Sequence, residues 1–147
     1  MLMSRMFQIA AVVAPVSAEI VTATFNALYD DPSRPLSEVS CWRKDVGFMP
    51  HLDWKLQKDA VGFIGIDSLS RLNTANCFSC WMISYNGKTI SLLAIDGSNS
   101  GVVMSLDALQ SLTDGRALEL DHIDVNAIEV DTSHCGIQAQ KLHAHDF

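Results

Sequence analysis

Cys77–Asp96, CFSCWMISYNGKTISLLAID, is the stretch that decides the fold. Two apolar-rich runs flank Asn86-Gly87. A two-residue hairpin loop of type I′ needs positive φ at both positions, and Asn and Gly tolerate that best. A turn there pairs Tyr85 with Lys88, Ile83 with Ile90 and Trp81 with Leu92. Strand side chains alternate, so these residues share a face with Ser79 and Ala94. The opposite face carries Phe78, Cys80, Met82, Ser84, Thr89, Ser91, Leu93 and Ile95. The first face is broader and more apolar and is assigned to the core. The second is apolar at the open end and small and polar near the tip, as expected of a ribbon whose turn reaches water.

Downstream, GSNSG at 97–101 reads as a loop. Ser105 can cap a short helix carrying Leu106, Leu109 and Leu112, which Asp114-Gly115 stops. Ala117–Asp121 alternates like a strand. Val125–Asp131 fits strand or turn, and Ile137–His143 reads as a last edge strand. Upstream, Val61–Ile66 is an apolar strand whose Gly62 and Gly65 imply a bulge or a close backbone approach. Leu52, Trp54 and Leu56 alternate with polar residues, the mark of a half-exposed strand. Glu38–Trp42 fits a short strand, and Asp30–Ser37 is a loop by composition. Before it, Ser17 suits an N-cap, and Val21, Phe25 and Leu28 fall at helical spacing. That predicts a helix over Ser17–Tyr29, ended by the Asp31-Pro32 step. Met6–Val13 reads as a buried strand. The alternative for residues 1–18 is an export signal, with Val16-Ser17-Ala18 as its small-residue cleavage site.

Short connections favour antiparallel neighbours. The expected architecture is therefore α+β: a curved, mainly antiparallel sheet, or a half-open barrel, packed on one main N-terminal helix. A single domain over 1–147 suits a chain of 147 residues that is 48% hydrophobic. No apolar run reaches the roughly 18–20 residues that span a bilayer, so no membrane role is expected.

Four cysteines in a chain this long do not suggest a disulfide scaffold. Free thiols in a reducing, cytoplasmic compartment are the expectation. Cys77 and Cys80 lie three apart on a strand and face opposite sides, so they cannot converge on a metal or act as a redox pair. His143 and His145, with Asp121, His122 and Asp124, have ligand chemistry, but a terminal HAHDF is ordinarily a solvated end. Neither metal nor cofactor is expected. Cys41 or Cys135 with His51 or His122 would make a nucleophile and base, yet nothing selects a pairing. A Gly-x-Ser-x-Gly elbow is absent, and GSNSG lacks the lysine of a phosphate loop.

The formal charge is −7. Residues 1–93 carry eight acidic and eight basic side chains, and 94–147 carry nine acidic ones against Arg116 and Lys141. Such a field repels phosphate backbones, which argues against nucleic acid, and attracts a basic surface. The first expectation is a non-enzymatic protein-binding protein of the inhibitor, immunity or mobile-element accessory type. It would engage a basic protein partner through Asp107, Asp114, Glu119, Asp121, Asp124, Glu129 and Asp131. The second is a small-molecule-binding domain or small enzyme with a pocket between helix and sheet. Trp54, Trp81 and Tyr85 would line that pocket, and His51, Asp53 or Asp96 would orient the ligand. A homodimer through the Ile137–His143 edge is a further option.

Overall fold

The computed structural model describes residues 18–43 and 53–137. Six strands form a closed barrel. They are β1 (Glu19–Phe25), β2 (Phe63–Ile66), β3 (Cys80–Tyr85), β4 (Lys88–Gly97), β5 (Val102–Met104) and β6 (Ile123–Val130). The order around the barrel is β1-β5-β2-β4-β3-β6, and β6 pairs back onto β1.

The β3–β4 hairpin has the expected register: Tyr85 opposite Lys88, Ile83 opposite Ile90, Trp81 opposite Leu92. Asn86 and Gly87 have φ of 48° and 81°, as the turn requires. Of the bulge or close approach expected at Gly62 and Gly65, the close approach is found: a Cβ on Gly65 would lie 2.8 Å from the Gly97 carbonyl. The register shift opposite Ile64 and Gly65 comes from an extra residue, Ile95, on β4. The helix α1 (Leu106–Leu112) starts where Ser105 accepts a hydrogen bond from the Ala108 N–H.

The expected N-terminal helix is not there. Glu19–Phe25 is strand β1, and only Ala27–Asp30 coils, as one 3-10 turn capped by Asn26. Val21 and Phe25 lie four apart, a spacing that fits one helix face and one strand face equally well. The β-branched Ile20, Val21, Thr22 and Thr24 then favour the strand. Ala23 is buried, while Ile20 is 76% exposed, the strand alternation rather than a helical stripe. A second exchange runs the other way: Ala117–Leu120 is a short helix, α2, where a strand is expected. Around Trp54 the chain forms no strand, and Gln57–Asp59 is a 3-10 turn.

Nor is the sheet half-open or packed on a helix, so the α+β architecture gives way to a closed barrel. Two of its seams are parallel, β1 with β5 and β2 with β4. Short turns constrain only strands adjacent in sequence, and these partners are not adjacent. Closure leaves no free edge along the barrel wall.

Alternation places Val21, Ala23, Ile64, Ile66, Ile83, Leu92, Val102, Met104, Val125 and Ala127 on the inner face. Leu93 and Ile95 of β4 are fully buried on the outer face. Two flanking segments cover that face. The Cys41 N–H bonds to the Ile95 carbonyl, and the Phe78 N–H bonds to the Ala94 carbonyl. Leu36, Val39, Leu69 and Phe78 are buried with them.

All four cysteines are disulfide-bonded, Cys41 to Cys77 and Cys80 to Cys135. The expectation of free thiols is therefore wrong. Cys77 lies in a turn before β3 rather than on the strand with Cys80, and the two take separate partners, Cys41 and Cys135. Paired sulfurs leave no thiolate for a Cys–His nucleophile.

Candidate functional site

The most structured polar site lies on the outer wall, where β1, β5 and the end of β4 meet. A groove of about 470 Å³ opens there between Thr24, Asn26, Tyr29, Asp96, Asn99 and Ser100. Strand alternation turns Thr24 and its partner Val103 outward into it. An extra residue in β4, Ile95, shifts the register so that Asp96 comes opposite Gly65. A side chain on Gly65 would place its Cβ 2.9 Å from the Tyr29 hydroxyl and 2.8 Å from the Gly97 carbonyl. The glycine is what lets Tyr29 reach the carboxylate.

The Asp96 carboxylate is held by donors from three segments. Its Oδ1 accepts from the Ser40 N–H at 3.0 Å, the Ser40 hydroxyl at 3.0 Å and the Gly97 N–H at 2.9 Å. Its Oδ2 accepts from the Tyr29 hydroxyl at 2.7 Å. A carboxylate offers about four lone-pair sites. Oδ1 is saturated, and Oδ2 keeps room for one more donor.

Burial raises the Tyr29 pKa far above its ordinary value. The hydrogen bond to Asp96 and the charge of Asp96 push the same way, and Arg34 opposes them weakly. The phenol therefore stays protonated and donates. Its ring is fixed from two sides, by Phe63 at 4.9 Å between centroids and by the Arg34 guanidinium 5.8 Å from the ring centre. Arg34 in turn donates to the Glu38 carboxylate and to Oε1 of the Gln57 side chain. Gln57 is 5% exposed, and its amide nitrogen donates to the carbonyls of Leu28 and Asp31 at 2.8 and 2.6 Å. A buried glutamine thus locks the turn that carries Tyr29.

A second, smaller pit of about 130 Å³ enters one end of the barrel. Inward residues Val21, Ile66, Trp81, Val102 and Ala127 line it, and Glu19, Asp67 and Ser68 stand at its mouth.

The expected pocket residues are not gathered in one place. Asp96 is in the groove, Trp81 is in the pit, and Trp54 packs on the core. Tyr85 sits at the hairpin end, partly buried, and Asp53 is exposed with φ of 44°. His51 lies outside the described residues, as do His143, His145, the Met6–Val13 strand and most of the Ile137–His143 edge. Tyr29, Ser40 and Gln57 were not singled out from the sequence, and no local motif marks them.

The seven acidic residues expected to engage a basic partner are all exposed. Several are locally engaged: Asp114 with Lys88, Glu119 with Arg116, and Asp124 with the Thr22 hydroxyl. Asp131 accepts from the Ser133 N–H. No group of His, Cys, Asp and Glu among the described residues could hold a metal ion. No helix among them is long and apolar enough to cross a membrane.

Residues 21–137 match the family model described as cerato-platanin. The chain belongs to the cerato-platanin family. A heat-stable 19 kDa antigen of Coccidioides posadasii is 37% identical over 134 aligned positions, covering 82% of this chain and 84% of the relative. An allergen of Aspergillus fumigatus is 29% identical over 118 positions, covering 78% and 76%. The crystal structure of cerato-platanin 3 from M. perniciosa superposes with a TM-score of 0.74 at 25% identity, covering 81% of this chain and 100% of that one. Cerato-platanin 1 of the same organism gives 0.69 at 32%, covering 78% and 98%. The barrel is the cerato-platanin fold, a double-psi β-barrel.

This membership overturns the inhibitor, immunity and mobile-element accessory expectation. It also removes support for a cytoplasmic location, since cerato-platanins are secreted fungal proteins. The two disulfides agree, because such bonds persist in oxidising compartments.

Proposed function

We propose that this cerato-platanin is an exported recognition protein whose outer-wall groove binds a polyhydroxylated ligand, an oligosaccharide, without transforming it. The observation that carries the reading is the Asp96 carboxylate. It is fixed by four donors, yet it borders an open groove with one acceptor site to spare. The rest of the lining is hydroxyl and amide: Thr24, Asn26, Ser98, Asn99 and Ser100. Such groups both donate and accept, as sugar hydroxyls do. No basic side chain among the described residues lines the groove, so it does not favour an anion.

Hydrolysis of the ligand is not proposed. Glycosidases use two carboxyl groups roughly 5–9.5 Å apart, and Asp96 is the one carboxylate among the described lining residues. Export fits the disulfides and the Coccidioides relatives named as antigens. In this reading residues 1–18 act as the leader, and intact-mass analysis of secreted protein tests that directly.

The groove itself is tested by NMR titration with oligosaccharides of glucose and of N-acetylglucosamine. Binding should shift amides of residues 24–29 and 96–103. Replacing Asn99 and Ser100 together by alanine should weaken binding about tenfold or more at unchanged melting temperature, since each lost hydrogen bond is worth about 1 kcal/mol. Shifts confined to another surface, or no saccharide binding at millimolar concentration, would defeat the reading.

A further inference from the structure

We propose that the pit at the barrel end is a second binding site, selective for a small organic cation of the alkylammonium or quaternary-ammonium class. It shares no lining residue with the groove around Asp96.

Its chemistry follows from strand alternation. The inner face of β1 runs Glu19, Val21, Ala23, Phe25, and that of β6 runs Ile123, Val125, Ala127, Glu129. In the ladder Glu19 stands opposite Ala127, and Glu129 stands opposite Trp81. Two inward register positions at the same end of the barrel thus carry carboxylates rather than apolar side chains. Of these Glu19 lines the pit, and Asp67 adds a second lining carboxylate from the end of β2, where its Oδ2 accepts from the Gly101 N–H. The described lining contains no lysine or arginine.

Below this rim the walls are apolar, and one is aromatic. The Trp81 indole N–H is already satisfied by the Ser79 hydroxyl at 2.9 Å. The ring is oriented by that bond, and its polar atom asks nothing of a guest. An indole face is the best aromatic partner for a cation. The volume, about 130 Å³, is of the order that holds a benzene-sized guest in an apolar cavity. An ammonium carrying methyl groups matches all three features. Its methyls fill the pit, its diffuse charge lies against the indole, and the rim carboxylates offset its desolvation. An anion would meet two carboxylates there and no basic side chain among the described lining. A neutral guest would gain burial but leave the rim unused.

The test uses the full chain and compares choline with 3,3-dimethylbutan-1-ol, its uncharged carbon isostere. Both are titrated while the Trp81 indole N–H resonance is followed by NMR. Choline should saturate in the millimolar range, as expected for so few atoms. The isostere should bind about tenfold more weakly, the usual scale of a cation–aromatic contact. Added salt should weaken choline and leave the isostere unchanged. Glu19→Gln, at an exposed strand start, should weaken choline several-fold at unchanged melting temperature. Trp81→Leu should abolish the preference for the cation. Equal binding of the two ligands, no binding of either, or a choline affinity indifferent to Glu19→Gln would overturn the proposal. None of these outcomes bears on the oligosaccharide groove.

Discussion

Replacing Cys80 and Cys135 together by alanine opens a crosslink that spans 55 residues. Loop-closure entropy alone assigns that crosslink about 4.2 kcal/mol of stability. The Cys41–Cys77 bridge spans 36 residues and is assigned about 3.8 kcal/mol by the same relation. The first loop closes before the second begins, so neither shortens the other and the two contributions should add. Their sum, about 8 kcal/mol, is comparable with the whole stability of an ordinary domain, about 5–15 kcal/mol. Local packing sharpens the expectation. Cys80 is fully buried and Cys135 is 7% exposed, whereas Cys77 is only half-buried. The second bridge should therefore be the dearer to lose, by up to about 1 kcal/mol of lost contact. Urea unfolding followed by tryptophan fluorescence measures all of this on the two pairwise variants and the quadruple variant. Each pair should lower stability by about 4 kcal/mol and melting by roughly 8–16 °C. The quadruple variant should lie at or below the threshold of cooperative folding. A cost under about 1 kcal/mol for either pair would refute the account, as would a quadruple variant that unfolds at the parental midpoint.

Gln57→Leu removes three hydrogen bonds and leaves the Leu28 and Asp31 carbonyls without their amide donor. It should destabilise by about 2–4 kcal/mol in urea melts and broaden the Tyr29 ring signals. Gly101→Ala would put a Cβ 2.2 Å from the Thr22 carbonyl oxygen at a φ of +60°. It should cost upwards of about 2 kcal/mol and accelerate hydrogen exchange along the β1–β5 seam. The raised pKa of Tyr29 predicts an alkaline limit. Its stabilisation is complete below the unfolded value of about 10 and drains away as pH rises above it, because only the unfolded chain can ionise there. Ultraviolet titration should find the Tyr29 phenol ionising together with unfolding, and Tyr29→Phe should lessen the alkaline loss.

How much of this was legible depends on the range of the signal. The β3–β4 register and the α1 cap at Ser105 rest on residues within a few positions of one another, and both are present. Glu19–Phe25 misled because Val21 and Phe25 satisfy two periodicities at once. The helix Ala117–Leu120 is a single turn, too short for a periodic pattern to declare itself. Barrel closure joins β1 to β5 and β6, strands that no local pattern connects. The same distance hid the disulfides. No local pattern shows which segments bring Cys41 to Cys77 and Cys135 to Cys80. At the groove Asp96 was singled out, while Tyr29 and Ser40 reach it only through the fold. Gly65 signalled a close approach without naming what approaches.

Charge shows the same difference between what accumulates along a chain and what meets in space. The density of carboxylates beyond residue 94 is high, yet Asp114, Glu119, Asp124 and Asp131 are each occupied, Glu119 and Asp131 by a sequence neighbour and Asp114 and Asp124 by residues the fold brings to them. Glu19 belongs to the balanced front portion and adds nothing to that density. Its position does more than its count. It occupies an inward slot of β1, opposite Ala127, where alternation calls for an apolar side chain. A carboxylate in such a slot gains no burial energy, so the barrel end that tolerates it stays open rather than closing over a packed core. In a closed barrel the informative acidic residue is therefore the one that breaks the inner-face pattern, and the sequence displays that break as soon as Glu19–Phe25 is read with a period of two.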